Sequence, residues 1–289
     1  MKKIMFLLLA AMLVAGCEKS VMEDVTGEGV TESGKTKKFT FTCKGDFDNP
    51  TFTRGYLSTN DEGMTDLWVL DYVNGSLVQQ KHQSSSDGDF GMPSMDLAYG
   101  THHVYFVASR GVDAVLSTTS HKITWGNPRD TFWKDYEVEV VATSNGNRAV
   151  TLDRVATRLR VTIDDEVPSG IKDVTVTPSK WYYGIDYMSG EATDEKSEAR
   201  VVNVPSSYVG TSGDLMLSVF GMSGSSEWTA DVTVTAHDND NEVIGSAQIS
   251  GAPFKRNRST DYNGSLFRSS SPITLSLNSD WSASYTGNF

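Results

Sequence analysis

Leu67-Trp68-Val69-Leu70-Asp71-Tyr72-Val73, then Asn74-Gly75, then Ser76-Leu77-Val78-Gln79-Gln80 is the stretch on which the fold turns. An Asn-Gly pair tolerates positive φ at both positions, so it closes a two-residue type I′ turn whose twist matches that of the strands beside it. The flanking residues are aromatic, β-branched or aliphatic, which suits a pleated surface. Working outward toward the N-terminus, Phe39, Phe41 and Cys43 alternate with Thr40 and Thr42, again the period of a strand. Toward the C-terminus, strands are expected at 95–99, 102–109, 121–125 and 134–142, separated by Gly, Asn, Asp and Pro.

A second series begins where Val155, Thr157, Leu159, Val161 and Ile163 face one way while Arg158, Arg160 and Thr162 face the other. Segments 171–177, 200–204, 215–220, 228–236, 242–250 and 273–277 continue it, with Asp238 to Asn241 as the turn between 228–236 and 242–250. No stretch longer than two turns carries a 3.6-residue period. Short strands recurring every eight to twelve residues or so are the signature of β-sandwiches. The reading is all-β, with two sandwiches in tandem over 37–153 and 154–289, the boundary falling near Asp153. No short sequence repeat is visible.

The N-terminus decides the compartment. Lys2 and Lys3 precede Ile4 to Val14, an unbroken apolar run of eleven residues. That suits the core of a signal peptide and falls well short of the roughly twenty residues that span a bilayer. It ends in Leu13-Val14-Ala15-Gly16-Cys17, which resembles the lipobox of bacterial lipoproteins. The resemblance implies a signal peptide over 1–16, cleavage before Cys17, and a diacylglycerol on its thiol. The three chains of a mature bacterial lipoprotein, palmitate among them, bury enough CH₂ groups to hold the protein at a membrane. The alternative is an ordinary secretory signal with an incidental cysteine. Residues 17–36 are polar, acidic and glycine-rich, and read as a flexible tether.

Removing 1–16 leaves about 270 residues, enough for two domains of ordinary size. Loss of Lys2 and Lys3 takes the formal charge from −12 to −14. Such acidity argues against nucleic acid and against a polybasic membrane patch, both of which need Lys and Arg to meet phosphates. Cys43 remains as the single thiol once Cys17 is lipidated, so no internal disulfide can form. Its alternation with Phe39 and Phe41 favours a buried small hydrophobe over a reactive group.

Catalytic motifs are missing. There is no G-x-S-x-G elbow, no Walker loop and no H-E-x-x-H. Ser169-Gly170-Ile171-Lys172 fits S-x-x-K by letter, but the companion motifs of that chemistry are absent. His102 and His103 would point to opposite faces of one strand and so cannot readily share a metal. Asp238, Asp240 and Glu242 offer oxygens at alternate positions, yet the glycine that a calcium loop needs is Val243 here, which favours a solvated turn. No enzyme, no metal and no cofactor beyond the lipid on Cys17 is expected. The aromatic run Trp181-Tyr182-Tyr183-Gly184-Ile185-Asp186-Tyr187 leaves two readings open. The rings close the end of a sandwich, or Trp181, Tyr182 and Tyr187 stack on sugar and make this a glycan-binding surface lipoprotein.

Taken in order, Leu67-Trp68-Val69 with Asn74-Gly75, Tyr99-Gly100-Thr101-His102-His103-Val104-Tyr105-Phe106-Val107-Ala108, and Asp130-Thr131-Phe132-Trp133 resemble the first domain of a known family. It is that of the fimbrillin-like anchor and minor-subunit lipoproteins of Bacteroidales type V fimbriae. Leu152-Asp153-Arg154-Val155-Ala156-Thr157-Arg158-Leu159-Arg160-Val161, Asp165-Glu166-Val167-Pro168 and the segment from Trp181-Tyr182 to Gly190 resemble its second. The similarity runs from about Lys37 to the C-terminus. It implies transthyretin-like, Greek-key sandwiches, no catalysis, and a role in adhesion within a surface fimbrium. The implied partners are other fimbrial subunits and the outer membrane, reached through the lipid.

A sandwich lacking one strand exposes an apolar groove and unpaired backbone groups until another strand fills it. Here the in-chain filler would be the first strand, with Phe39, Phe41 and Cys43 as its plugs. In polymerising relatives an Arg-specific protease removes that strand, and the resemblance makes Arg54, in Pro50-Thr51-Phe52-Thr53-Arg54-Gly55, the candidate cut site. Left uncut, the subunit stays lipid-bound and self-completed. The C-terminal segment 282–289 (SASYTGNF) either passes to a neighbouring subunit or finishes the second sandwich.

Overall fold

The structure is a computed structural model that describes residues 34–45, 63–267 and 274–276. Cys17, Arg54, the segments 1–16 and 282–289, and nearly all of the tether lie outside them. The first half contributes β1 (Thr36–Gly45), β2 (Asp66–Val73), β3 (Ser76–Ser84), β4 (Ser94–Ala98), β5 (Gly100–Ser109), β6 (Val115–Ser117), β7 (Lys122–Thr124), β8 (Thr131–Val140) and β9 (Asn147–Arg154). The quoted hairpin forms as the sequence dictates: Asn74 has φ 50° and Gly75 φ 75°, joining β2 to β3. Two layers result. One is β3-β2-β5-β8, wholly antiparallel. The other is β9-β1-β4, in which β1 runs parallel to β9 and antiparallel to β4. The far end of β9 crosses to β8 through Phe132↔Arg154 and Trp133↔Asp153, closing one corner of the sandwich.

The second half contributes β10 (Ala156–Ile163), β11 (Ile171–Pro178), β12 (Trp181–Asp186), β13 (Ala192–Lys196), β14 (Arg200–Asn203), β15 (Leu215–Met222), β16 (Trp228–Asp238), β17 (Val243–Phe254), β18 (Arg258–Gly264) and β19 (Thr274–Ser276), with one 3₁₀ turn at Ser206–Tyr208. Its layers are β14-β11-β16-β17 and β15-β10-β18-β19. The topology of the first half is repeated here. β10 is antiparallel to β15 and parallel to β18, as β1 is to β4 and β9. β11 sits between β14 and β16, as β2 sits between β3 and β5. Fold class and tandem sandwiches are therefore as the strand periodicity predicts, although the duplication leaves no sequence repeat.

Each half departs from the shared plan by one inserted hairpin, β6-β7 in the first and β12-β13 in the second. These insertions pair with each other through β7 and β12, making a third sheet, β13-β12-β7-β6, from both halves. Beneath it lies a core of its own. Trp68, Leu70 and Tyr72 of β2 meet Trp125, Ile185, Tyr187 and Met222 there. That is why β2 is buried on both faces and lacks a polar side. Arg154 spans the same junction: its guanidinium donates to both carboxylate oxygens of Asp130 (2.9 and 3.1 Å) and to Asn257 Oδ1 (3.1 Å).

Candidate functional site in the first sandwich

Strand β1 is the central strand of its layer. Thr36 to Thr40 pair with β4, and Thr40 to Gly45 pair with β9. Its alternation aims Phe39, Phe41 and Cys43 inward, each fully buried. Phe41 meets the edge of the Phe106 ring at 5.2 Å and of Tyr136 at 6.0 Å. Met64, Leu97, Val104, Val138 and Leu152 close the same core. Full burial of a large apolar side chain contributes roughly 1.5–3 kcal/mol, so the three plugs together are a large fraction of a domain's net stability.

Backbone groups beyond the regular ladder also lock the strand. Thr40 N–H donates to Gly146 O (2.7 Å), Phe41 N–H to Pro93 O (3.0 Å) and Cys43 N–H to Gly91 O (2.9 Å). Residue 146 must be small, because a β-carbon there would run into the carbonyl oxygen of Lys38. Side chains add to this: the Thr40 and Ser94 hydroxyls meet at 2.8 Å, Lys37 donates to Ala142 O (2.8 Å), and Arg148 lies over the Phe39 ring at 5.2 Å. Burial pushes the Cys43 thiol up to about 12, so it stays protonated and unreactive at neutral pH. Taking β1 away would leave β4 and β9 without the partner between them, above an apolar trough.

The aromatic run behaves differently from the sugar-stacking expectation. Trp181 and Tyr187 are completely buried and Tyr182 is half-buried, so no stacking platform exists at these residues. Trp181 and Tyr182 belong to β12, a strand of the third sheet, and Tyr187 follows it; Trp181 enters the second sandwich's core and Tyr187 the core beneath the third sheet. Trp181 donates its indole N–H to Phe220 O (2.9 Å) and packs edge-on to Phe254 at 4.8 Å. The hydroxyls of Tyr187 and Tyr72 share a hydrogen bond of 2.7 Å across the two halves, and Trp133 donates to Tyr187 O (2.7 Å). Burial, with the Tyr72 bond second, raises the pKa of Tyr187 far above that of a free phenol. Tyr182 rests against Trp228 with the Lys180 ammonium 5.2 Å from its ring centre. Tyr187 joins the two halves, while Trp181 and Tyr182 pack within the second.

The remaining polar candidates resolve locally. His102 is buried, with Nδ1 2.7 Å from Asp71 Oδ1 and Nε2 2.9 Å from Ala98 O, while His103 on the other face reaches Asp135 at 3.1 Å. Asp238 Oδ1 accepts the N–H groups of Asp240 and Glu242, each at 2.9 Å, which is a turn capped by its own first residue. Lys172 Nζ is engaged by Asn241 at 2.5 Å. Among the described residues no group of three His, Cys, Asp or Glu side chains is placed to hold a metal ion. The Tyr72–Tyr187 and Arg154–Asn257 bonds had no local signal, since their partners lie 115 and 103 residues apart in sequence.

The architecture, two β-sandwiches in one chain, is a fold shared with solved structures. The chain is similar to a candidate adhesin from Bacteroides ovatus, with 12% identity over 84% of this chain and 94% of that one, at a TM-score of 0.54. A candidate adhesin from Bacteroides thetaiotaomicron gives 9% identity over 86% and 98%, at 0.51. The fimbrial anchor protein Mfa2 from Porphyromonas gingivalis gives 11% identity over 87% and 100%, also at 0.51. At such identities the likeness is one of fold. No protein-family model matches the sequence, and no curated protein matches it.

Proposed function

We propose that this chain is a lipid-anchored subunit of a bacterial fimbrium, an anchor or accessory subunit, assembled with its neighbours by strand complementation at the outer surface of the outer membrane. The observation that carries the proposal is β1: a central strand held by a backbone ladder and three apolar plugs, the interactions that a foreign strand of the same alternation can reproduce. The lipobox-like Leu13 to Cys17 supports lipid attachment at Cys17, and the shared fold with an anchor protein supports the position in the fimbrium. In this reading Arg54 stays uncut, β1 stays in place, and the self-completed subunit ends polymer growth at the membrane. The partners are other fimbrial subunits, and the chemistry is assembly rather than catalysis.

Mass spectrometry of the native protein tests this directly. An acylated N-terminal peptide beginning at Cys17 is the expected result. A mature N-terminus at Gly55 would mean that lipid and β1 had both been removed, and the anchor assignment would fail.

A further inference from the structure

Among the described residues, β3, β4, β6, β13, β14, β15, β17 and β19 end sheets, and most carry a guard. β3 bears Lys81, β13 bears Asp194, Glu195 and Lys196, and β4 is short and bears Asp96, whose carbonyl is already taken by Gln79. β6, β14 and β19 have four residues or fewer. β17 is broken by two register shifts and contains Pro253. β15 is the exception. Its eight residues, Leu215-Met216-Leu217-Ser218-Val219-Phe220-Gly221-Met222, include no charge and no proline, and they pair with β10 in unbroken register. Long, flat, uncharged edges invite another strand.

The direction of the open groups follows from two hydrogen bonds. Ser223 N–H donates to Val155 O, so odd-numbered residues here turn their backbone toward β10. Trp181 takes the outward carbonyl of Phe220, so even-numbered residues turn theirs away. The indole therefore closes one end of the edge and leaves the N–H and C=O of Met216 and Ser218 facing outward, unpaired among the described residues. The Met216 side chain, 51% exposed, stands over them.

We infer that this edge is an isologous docking strand for a second copy of the chain, pairing antiparallel about Leu217. Met216 then sits opposite the partner's Ser218 and the reverse, which makes four backbone hydrogen bonds from the two outward residues of each copy. A strand without charge is compatible with itself even in a chain of net charge −12. On the adjoining β10 the Arg160 guanidinium is already paired with Asp261, so it does not oppose a second copy at this edge. The contact is small, so the dimer is weak and forms more readily as salt screens the net charge.

Sedimentation velocity of the full chain, from about 5 to about 500 µM, reads this out. The expected result is a concentration-dependent shift from monomer toward dimer that grows between low and 0.5 M salt. Ser218→Pro removes only an outward N–H and leaves the β10 ladder whole, so it should return the chain to monomer without changing its melting curve. Met216→Lys should do the same by placing a charge on the edge, and Val201→Lys on β14 should leave the dimer intact. A chain that stays monomeric throughout overturns the inference, as does a dimer that survives whichever of the two β15 variants folds normally.

Discussion

In the first sandwich the central strand β1 is held by a backbone ladder, three apolar plugs and a few ties at its surface, whereas in the second the equivalent β10 is stitched to its parallel neighbour residue by residue. Thr157 Oγ1 donates to Arg258 O (3.1 Å), Arg158 Nε to Ser259 Oγ (3.0 Å), and the Arg160 guanidinium pairs with Asp261. Ser259 Oγ in turn donates to Asp261, and both are fully buried on the outer side of β18. The matching face of β9, with Ala149 and Thr151, is exposed. Covalent connection differs as well. β10 follows β9 after Val155 alone, while residues 46–65 separate β1 from β2. Among the described contacts, apolar plugs and backbone rungs are prominent at β1, and side-chain pairs add to the rungs at β10.

The contrast can be broken most forcefully at Phe41. Phe41→Ala should cost about 3–5 kcal/mol in urea unfolding, because it empties the space between Phe106 and Tyr136. An adventitious strand would not restore that loss unless it carried an aromatic at the same register. Next comes Asp261→Ala, which leaves Arg160 facing a vacated site and should cost about 2–3 kcal/mol by the same measurement. A loss smaller than that of Thr40→Ala on β1 would erase the distinction drawn between the two strands.

The gentlest test is pH. A thiol raised in the folded state, from 9.0 to about 12, contributes stability that is fully present below the unfolded value and is lost as pH rises through the folded one. Native Cys43 resists ionising while the unfolded thiol releases its proton, so unfolding gains ground between about 9 and about 12. By pH 10 the wild type should have lost about 1 kcal/mol relative to Cys43→Ala. Parallel curves for the two proteins would show that the thiol is not buried as described.

Much of this was legible in the chain. The Asn74-Gly75 turn carries its own local cue, while the Phe39-Phe41-Cys43 alternation and the 155–163 strand carry period-two signals, because those strands have one dry and one wetter face. β12 hides its period: Trp181, Tyr183, Ile185 and, just past its end, Tyr187 alternate and are all buried, but the rings crowded into the run make it read as an aromatic cluster before it reads as a strand. β9, over Asn147–Arg154, was likewise missed, since its apolar face amounts to Val150 and Leu152. Nor does any local pattern announce the pairing of β7 with β12, or of β1 with β9, whose members are separated by long stretches of chain. The inward turn of Phe39, Phe41 and Cys43 follows from alternation; what surrounds them depends on contacts that only folding brings together.

One geometrical detail has a mechanical meaning. Because β1 runs alongside β9 in the same direction, tension drawn along the axis of β1 loads the rungs between Thr40 and Gly45 together instead of peeling them one by one. A tether hauling on Thr36 would therefore meet resistance in shear, the stiffest mode a pair of strands can offer. The same strand could still be displaced end-first by a competitor advancing rung by rung: firm under load, yet exchangeable by stepwise invasion.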